Sequence, residues 1–197
     1  MSTTTSMTTT TSTTSGPART AGRSLLARAA RWWPILLALA LTAATWGIST
    51  ATAGRVLPLL PFLYVVAAVV QRRSATWPIL GICLLGWLAL RQQDLVDPTA
   101  VVVAVAAAIT LGGLLLRRSG RKELLLQAAG MVVFTGIALV GLSVAPQIAR
   151  YVLAAGWLAH GLWDLWHMRR QAVVSRSYAQ WCGVVDIVMA AELLLWA

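Results

Sequence analysis

The chain has 197 residues, of which 58% are hydrophobic and only 11% are charged. Soluble domains carry about a quarter charged residues, so this composition excludes a soluble enzyme, and two cysteines are too few for a disulfide scaffold. Sixteen Lys and Arg against six Asp and Glu give a net charge of +10, which has to be placed relative to a membrane before it is interpreted.

The N-terminal part of the chain has two compositionally distinct stretches. Residues 1–16 are almost entirely Thr and Ser and carry no charge. They cannot bury enough apolar surface to offset their ordering entropy, which predicts a disordered tail. Residues 17–33 hold four arginines and end in two tryptophans. This pattern predicts a basic juxtamembrane segment that lies on an anionic leaflet, with the indoles at headgroup depth.

Residues 34–197 are predicted to form a transmembrane domain of seven helices, which makes the chain an all-α polytopic bundle. The seven apolar segments cover residues 34–53, 56–71, 76–90, 98–116, 124–144, 147–167 and 178–196. A helix needs about 20 residues to cross the hydrocarbon core, with about 17 as the lower limit. The second and third segments are near that limit, but they are not one element, because Arg72 and Arg73 would then lie near the bilayer centre at a cost of several kcal/mol.

The distribution of Lys and Arg predicts the orientation of the bundle. With the N-terminus in the cytoplasm and the C-terminus outside, 13 of the 16 basic residues lie on the cytoplasmic side and 3 lie outside. The basic excess therefore reflects topology and attraction to anionic lipid, and no soluble domain remains for nucleic-acid binding. One lysine against fifteen arginines, with abundant alanine, suggests a GC-rich bacterial genome and hence a bacterial inner membrane.

The first segment is also consistent with a cleaved signal peptide. Arginines precede the apolar run 35–41, and Ala51-Thr52-Ala53 precedes Gly54. Cleavage there would leave six spans in the same orientation.

Seven spans alone do not identify a function. The single lysine, Lys122, lies in a connector, which excludes a retinal pigment with its Schiff-base lysine in the last helix. The chain has no phosphate-binding glycine loop, HExxH helix or CxxC pair. No two glycines are four residues apart, so the GxxxG dimer motif is absent as well.

Ionisable residues inside a membrane are costly and by default indicate function, and here they concentrate in the sixth and seventh segments. One stripe of the sixth segment carries Arg150, Trp157, His160, Asp164 and His167. One face of the seventh carries Tyr178, Cys182, Asp186 and Met189, with Glu192 at its edge near the outer surface. The short connector makes the two helices antiparallel neighbours, and this places His160 near Asp186.

We expect a site for a lipophilic ligand or substrate, a lipid or an isoprenoid, between these two helices. Burial favours the protonated form of a carboxyl group, so Asp164 is predicted to be the acid or anionic anchor, with His160 as its proton partner and Asp186 as the second carboxylate. The predicted substrate-binding residues are Trp157, Trp163, Trp181, Tyr178 and Arg150. Thr42, Thr45, Trp46 and Ser49 are expected to add a third polar face, which gives a pocket open toward the cytoplasmic leaflet.

A carboxylic acid among aromatic walls is what the protonation-started cyclisation of an isoprenoid requires. In size and span count only, the chain is similar to small seven-helix terpene cyclases. Those enzymes place a further acid in an early helix, whereas the first four segments of this chain contain none.

Other readings of the same residues stay open. The residues predict no cofactor, with a divalent metal at His160 and Asp164, joined by Asp186 or Cys182, as the alternative. Membrane hydrolases of the alkaline-ceramidase type use three histidines, and this chain has two. Asp164 is also consistent with a purely structural pairing to a histidine on its own helix. A transporter, or a non-catalytic structural or accessory subunit of a membrane complex, remains a further alternative.

Overall fold

The structure, a computed structural model, describes residues 17–93, 96–116 and 119–195, with side chains from residue 31 onward. Within these ranges the chain is helical and contains no β-strand. The helices are α1 (Pro17–Ala44), α2 (Thr50–Val56), α3 (Leu59–Val70), α4 (Thr76–Arg91), α5 (Pro98–Leu116), α6 (Arg121–Ser143), α7 (Pro146–Arg170) and α8 (Arg176–Leu195), with one 3-10 turn at Arg73–Ala75. Internal contacts separate Met1–Trp33 from Pro34–Ala197, and the predicted tail, 1–16, lies outside the described residues.

Five helical stretches are long and apolar enough to cross a membrane. They are Thr50–Val70, Arg73–Arg91, Pro98–Leu116, Arg121–Ser143 and Arg176–Leu195. Large apolar side chains cover their outer surfaces, and Ile82 and Val132 are each 72% exposed. So large an exposed apolar surface is typical of a protein that contacts lipid, and the helical architecture is compatible with a membrane protein.

The boundary between the first two predicted segments differs in the structure. Helix α1 ends at Ala44 instead of continuing to residue 53. The chain then turns through Gly47, whose φ of +82° suits a residue without a Cβ. Ser49 starts α2, because its hydroxyl oxygen accepts a hydrogen bond from the Thr52 backbone N–H at 3.2 Å. Residues 50–53 therefore belong to the second apolar stretch.

Helix α3 lies at the centre of the bundle and packs against α4, α5 and α6. Pro58 separates α2 from α3, but the two helices form one apolar stretch, Thr50–Val70. In the most apolar part of this stretch, 67% of the residues are buried inside the protein. The corresponding figure for Arg73–Arg91 is 17%, which places α4 at the periphery. Gln71, in the left-handed conformation, ends α3. This break confirms that the second and third predicted segments are separate elements.

Helices α7 and α8 pack against each other more extensively than the other helix pairs of the described chain. Two glycines allow this close approach. A Cβ atom at Gly161 would lie 3.2 Å from the Cβ of Asp186, and one at Gly183 would lie 3.4 Å from the Cβ of Asp164. The glycines therefore bring the polar faces of the two helices within side-chain reach of each other.

Candidate functional site

A buried histidine joins two carboxyl groups at the α7–α8 interface. His160 Nδ1 lies 2.7 Å from Asp186 Oδ2 and 3.7 Å from Asp164 Oδ2. All three residues are fully buried. The approach of His160 to Asp186 confirms the pairing that antiparallel α7 and α8 predict.

The thiol of Cys182 completes a group of four possible metal ligands. Cys182 precedes Asp186 by one helical turn, so both side chains project from the same face of α8. One ligand atom each from His160, Asp164, Cys182 and Asp186 lies within 4.8 Å of the other three. Imidazole nitrogen, thiolate sulfur and carboxylate oxygen are all ligands of zinc-type ions. The four side chains, which we call the α7–α8 cluster, could therefore hold a metal ion.

Tyr64 of α3 is a member of the site that sequence reasoning missed. Its hydroxyl group donates a hydrogen bond to Asp164 Oδ1. Its ring lies edge-on to His160, with the ring centroids 5.8 Å apart. The sequence does single out Tyr64 in one respect, because it is the sole side chain of Leu59–Val70 that can form a hydrogen bond. The contact with α7 itself depends on tertiary packing.

His167 is buried but lies beside the cluster. Its Nδ1 is 3.0 Å from the Trp163 carbonyl oxygen, and its Nε2 is 3.0 Å from the amide nitrogen of Gln127. A carbonyl only accepts and an amide nitrogen only donates, so His167 carries its proton on Nδ1 and is neutral. Its ring packs 4.7 Å from that of Tyr64. His167 thereby holds Tyr64 in place for Asp164.

Gln127 of α6 is the second residue that the sequence did not single out. It is 1% exposed, and its amide also bonds to Glu123 Oε1 at 3.2 Å. Glu123 in turn lies 3.8 Å from Arg170 at the surface. A chain of polar contacts thus runs from that surface pair to His167.

The predicted aromatic residues lie on α7 and α8, the two helices that carry the cluster. Trp181 and Tyr178 are buried, with ring centroids 5.8 Å apart. Trp163 packs 5.0 Å from His167. Trp157, 2% exposed, precedes His160 by one turn of α7. Tyr178 also packs against Tyr64, with the ring centroids 6.1 Å apart, so these aromatic residues lie near the polar groups of α7 and α8.

Arg150 and the hydroxyls of the first segment are not brought to the cluster. Arg150 precedes His160 by ten residues, which is about 15 Å of helix rise, and its guanidinium donates to the Tyr151 hydroxyl at 2.6 Å. The hydroxyls of Thr42 and Thr45 donate to carbonyls of α1 itself, at 3.0 Å in each case. Thr42 and Thr45 thus satisfy their hydroxyls on the backbone of α1, and of the predicted third polar face Ser49 lines a cavity beside Met189 and Glu192 of α8.

Buried like charges make the cluster electrostatically demanding. Two ionised carboxylates within 4.8 Å of each other repel by at least about 3.5 kcal/mol at an effective dielectric constant of about 20. Among the described residues, His160 is the ion-pair partner of both Asp164 and Asp186. Asp164 Oδ2, Asp186 Oδ1 and His160 Nε2 have no hydrogen-bond partner within the same part of the chain. The arrangement therefore needs bound protons or a bound cation to offset its charge.

No known protein-family model matches this chain, and neither a curated protein nor a solved structure matches it. Its chemistry is therefore argued from the geometry of the α7–α8 cluster.

Replacing Tyr64 with Phe should destabilise the protein, because Asp164 Oδ1 would stay buried without its donor. The expected cost is about 1–3 kcal/mol, measured as a lower thermal unfolding temperature in detergent. Tyr151→Phe, at a 52% exposed position, is the matched control and should unfold near the wild-type temperature. Equal unfolding temperatures for the two variants would contradict the role given to the Tyr64 hydroxyl.

Proposed function

We propose that the chain is a multi-pass protein of a bacterial inner membrane whose α7–α8 cluster binds a divalent metal ion of the zinc class. The observation that carries this proposal is the convergence of four ligand atoms from His160, Asp164, Cys182 and Asp186 within 4.8 Å, all fully buried. The same residues on separate or exposed faces would carry no such argument.

Charge balance supports a divalent ion. With both carboxylates and the Cys182 thiol ionised and the imidazole neutral, the four ligands carry a charge of −3, of which a divalent cation cancels two units. A bound ion would also coordinate Asp164 Oδ2 and Asp186 Oδ1, neither of which has a hydrogen bond of normal geometry among the described residues. Removing charge from a buried site in this way relieves a cost that would otherwise reduce stability.

The donor set selects the class of metal. One sulfur and one imidazole nitrogen favour Zn²⁺ and related transition ions over Mg²⁺ and Ca²⁺, which prefer all-oxygen sites. Neighbouring groups orient the ligands, as metal sites require. The Tyr64 hydroxyl fixes one oxygen of Asp164, and Gly161 and Gly183 hold the two helices at the necessary distance.

The molecule served by this centre is proposed to be lipophilic, a lipid or an isoprenoid. Support comes from the aromatic side chains around the cluster, among them Trp157 and Trp181, and from the apolar bundle that encloses it. With three of the four groups as ligands and the fourth position open to the substrate, a bound metal ion would supply a Lewis acid. The protein's own groups orient the site, since Tyr64 positions Asp164, and the buried aromatic side chains exclude water.

A metal-free acid–base site is the second candidate. It is favoured by the hydrogen bonds that Tyr64 and His160 make to the two carboxyl groups, because such a network holds a proton donor and its acceptors in place. The remaining alternative, a structural or accessory subunit, requires only that these polar groups lock helix packing.

Metal content separates these candidates. Purified, chelator-free protein should contain about one equivalent of a transition metal by elemental analysis, and Asp186→Asn or Cys182→Ser should lower its affinity for the metal at least about tenfold. Cys83→Ser, which changes the other cysteine of the chain, is the control and should keep the metal.

With Co²⁺ in place of the native ion, the Cys182→Ser variant should also lose sulfur-to-cobalt absorption. A wild-type protein that binds neither Zn²⁺ nor Co²⁺ would eliminate the metal centre and leave the acid–base and structural candidates.

Turnover tests the lipophilic substrate. Incubation of the metal-loaded protein with polyprenols and polyprenyl diphosphates should give a product detectable by mass spectrometry, and Asp164→Asn should slow its formation by a factor on the order of 100. Asp97→Asn, at an exposed helix cap, should retain the rate. No product from the wild-type protein would remove isoprenoids as the substrate class.

The proposed orientation, with the N-terminus cytoplasmic, is tested by labelling cysteines introduced one at a time into a Cys83→Ser background, in which the remaining native cysteine, Cys182, is buried. An impermeant maleimide added to intact cells should label Gln93→Cys, in the connector after α4, but not Ser74→Cys, in the connector before it; both positions are exposed. Lysis should make both accessible. The reverse pattern would invert the topology.

A further inference from the structure

Helix α8 carries a second buried carboxylate, Glu192, beyond the cluster. Glu192 is 4% exposed, although its position near the helix end suggested a solvated side chain. Its Oε1 accepts a hydrogen bond from the backbone N–H of Gly47. Its Oε2 has no hydrogen-bond partner in the described chain. The hydrogen bond to Gly47 occupies only one of the two carboxylate oxygens of Glu192, so the second oxygen is available to a ligand.

A cavity of about 260 Å³ lies beside this carboxylate. It is lined by Met189, Glu192 and Leu193 of α8 and by residues 47–50, where the chain turns from α1 into α2. That volume is several times the space that one water molecule occupies. A metal ion with part of its hydration shell therefore fits next to the Glu192 carboxylate.

A row of possible metal ligands runs along α8 from this cavity to the cluster. Cys182, Asp186, Met189 and Glu192 follow one another at spacings of four, three and three residues, which places the first three on one face of α8 and Glu192 at its edge. Asp186 and Glu192 are about 9 Å apart along the helix axis. Met189, 3% exposed, lies between them and lines the cavity. Its thioether is a soft ligand of the kind that transition metals accept.

We propose that Glu192 and Met189 form an entry site through which a divalent transition ion reaches the α7–α8 cluster. Glu192 captures the ion in the cavity, Met189 provides the intermediate contact, and Asp186 receives the ion in the cluster. In the proposed orientation the cavity opens on the non-cytoplasmic side. This inference rests on the proposed metal centre, and it adds the route and the side of the membrane from which the centre is filled.

The rate of metal loading tests the entry site. Full-length protein is purified in detergent, stripped of metal with a chelator and mixed with Co²⁺, and the absorption of the filled cluster is followed in time. Glu192→Gln keeps an acceptor for the Gly47 N–H but removes the charge. It should load at least about tenfold more slowly than wild type, since local charge raises on-rates by 10–10³, and reach the same final occupancy.

Two further variants complete the experiment. Met189→Leu preserves the shape of the side chain and should also load more slowly, which keeps the test informative if Glu192→Gln does not fold. Asp97→Asn removes an exposed carboxylate from the N-terminus of α5 and should load at the wild-type rate.

The outcomes separate the two proposals. Loading of Glu192→Gln and Met189→Leu at the wild-type rate would overturn the entry site and leave the metal centre intact. Lower final occupancy in Glu192→Gln, with an unchanged rate, would make Glu192 part of the centre and would also overturn the entry role. Wild-type protein that takes up no Co²⁺ would remove the metal centre and, with it, the entry site.

Discussion

The contact between His160 and Asp186, 2.7 Å long and fully buried, is the interaction on which the rest of the site depends. It spans α7 and α8, and it forms only because Gly161 and Gly183 allow the two helix backbones to approach closely. An imidazole and a carboxyl group placed in an apolar bundle without each other would each carry a desolvation penalty of several kcal/mol. Together they offset part of that penalty and hold the two helices in one register, which brings Asp164 and Cys182 into the same small volume.

Around this pair, some buried polar atoms have hydrogen-bond partners and others have none. His167 is bonded at both ring nitrogens and, by its packing, holds Tyr64, whose hydroxyl saturates one oxygen of Asp164. The other oxygen of Asp164 and one oxygen of Asp186 have no partner among the described residues. Their convergence with Cys182 and His160 is the reason for proposing a cation in the cluster, and the Glu192 oxygen that has no hydrogen-bond partner in the described chain extends the same argument along α8.

The residues of α7 and α8 could be predicted because helical periodicity alone places His160 and Asp164 on one stripe and Cys182 and Asp186 on one face. Tyr64 could not, because nothing in an apolar run indicates which helix its hydroxyl will meet. The first predicted segment is longer than helix α1 because the composition stays apolar across the turn at Gly47. The hydrogen bond between Gly47 and Glu192 at this turn joins residues far apart in the chain, so the sequence gives no local signal for it. Arg150 shares one helix face of α7 with His160 and Asp164, which predicted it as part of the site. That face extends along the helix well beyond the cluster, and Arg150 lies at its far end.

Composition, the lengths of the apolar segments and the spacing of polar residues were sufficient to indicate a helical membrane protein with its ionisable groups in the last two helices, since these properties are local and repeat with the helical period. Their convergence depends on the tertiary structure. The distance between α7 and α8, the approach of α3 with its tyrosine and the cavity beside Glu192 all arise from packing between segments remote in the chain, where a shift of a few ångströms decides whether side chains share a ligand or face lipid.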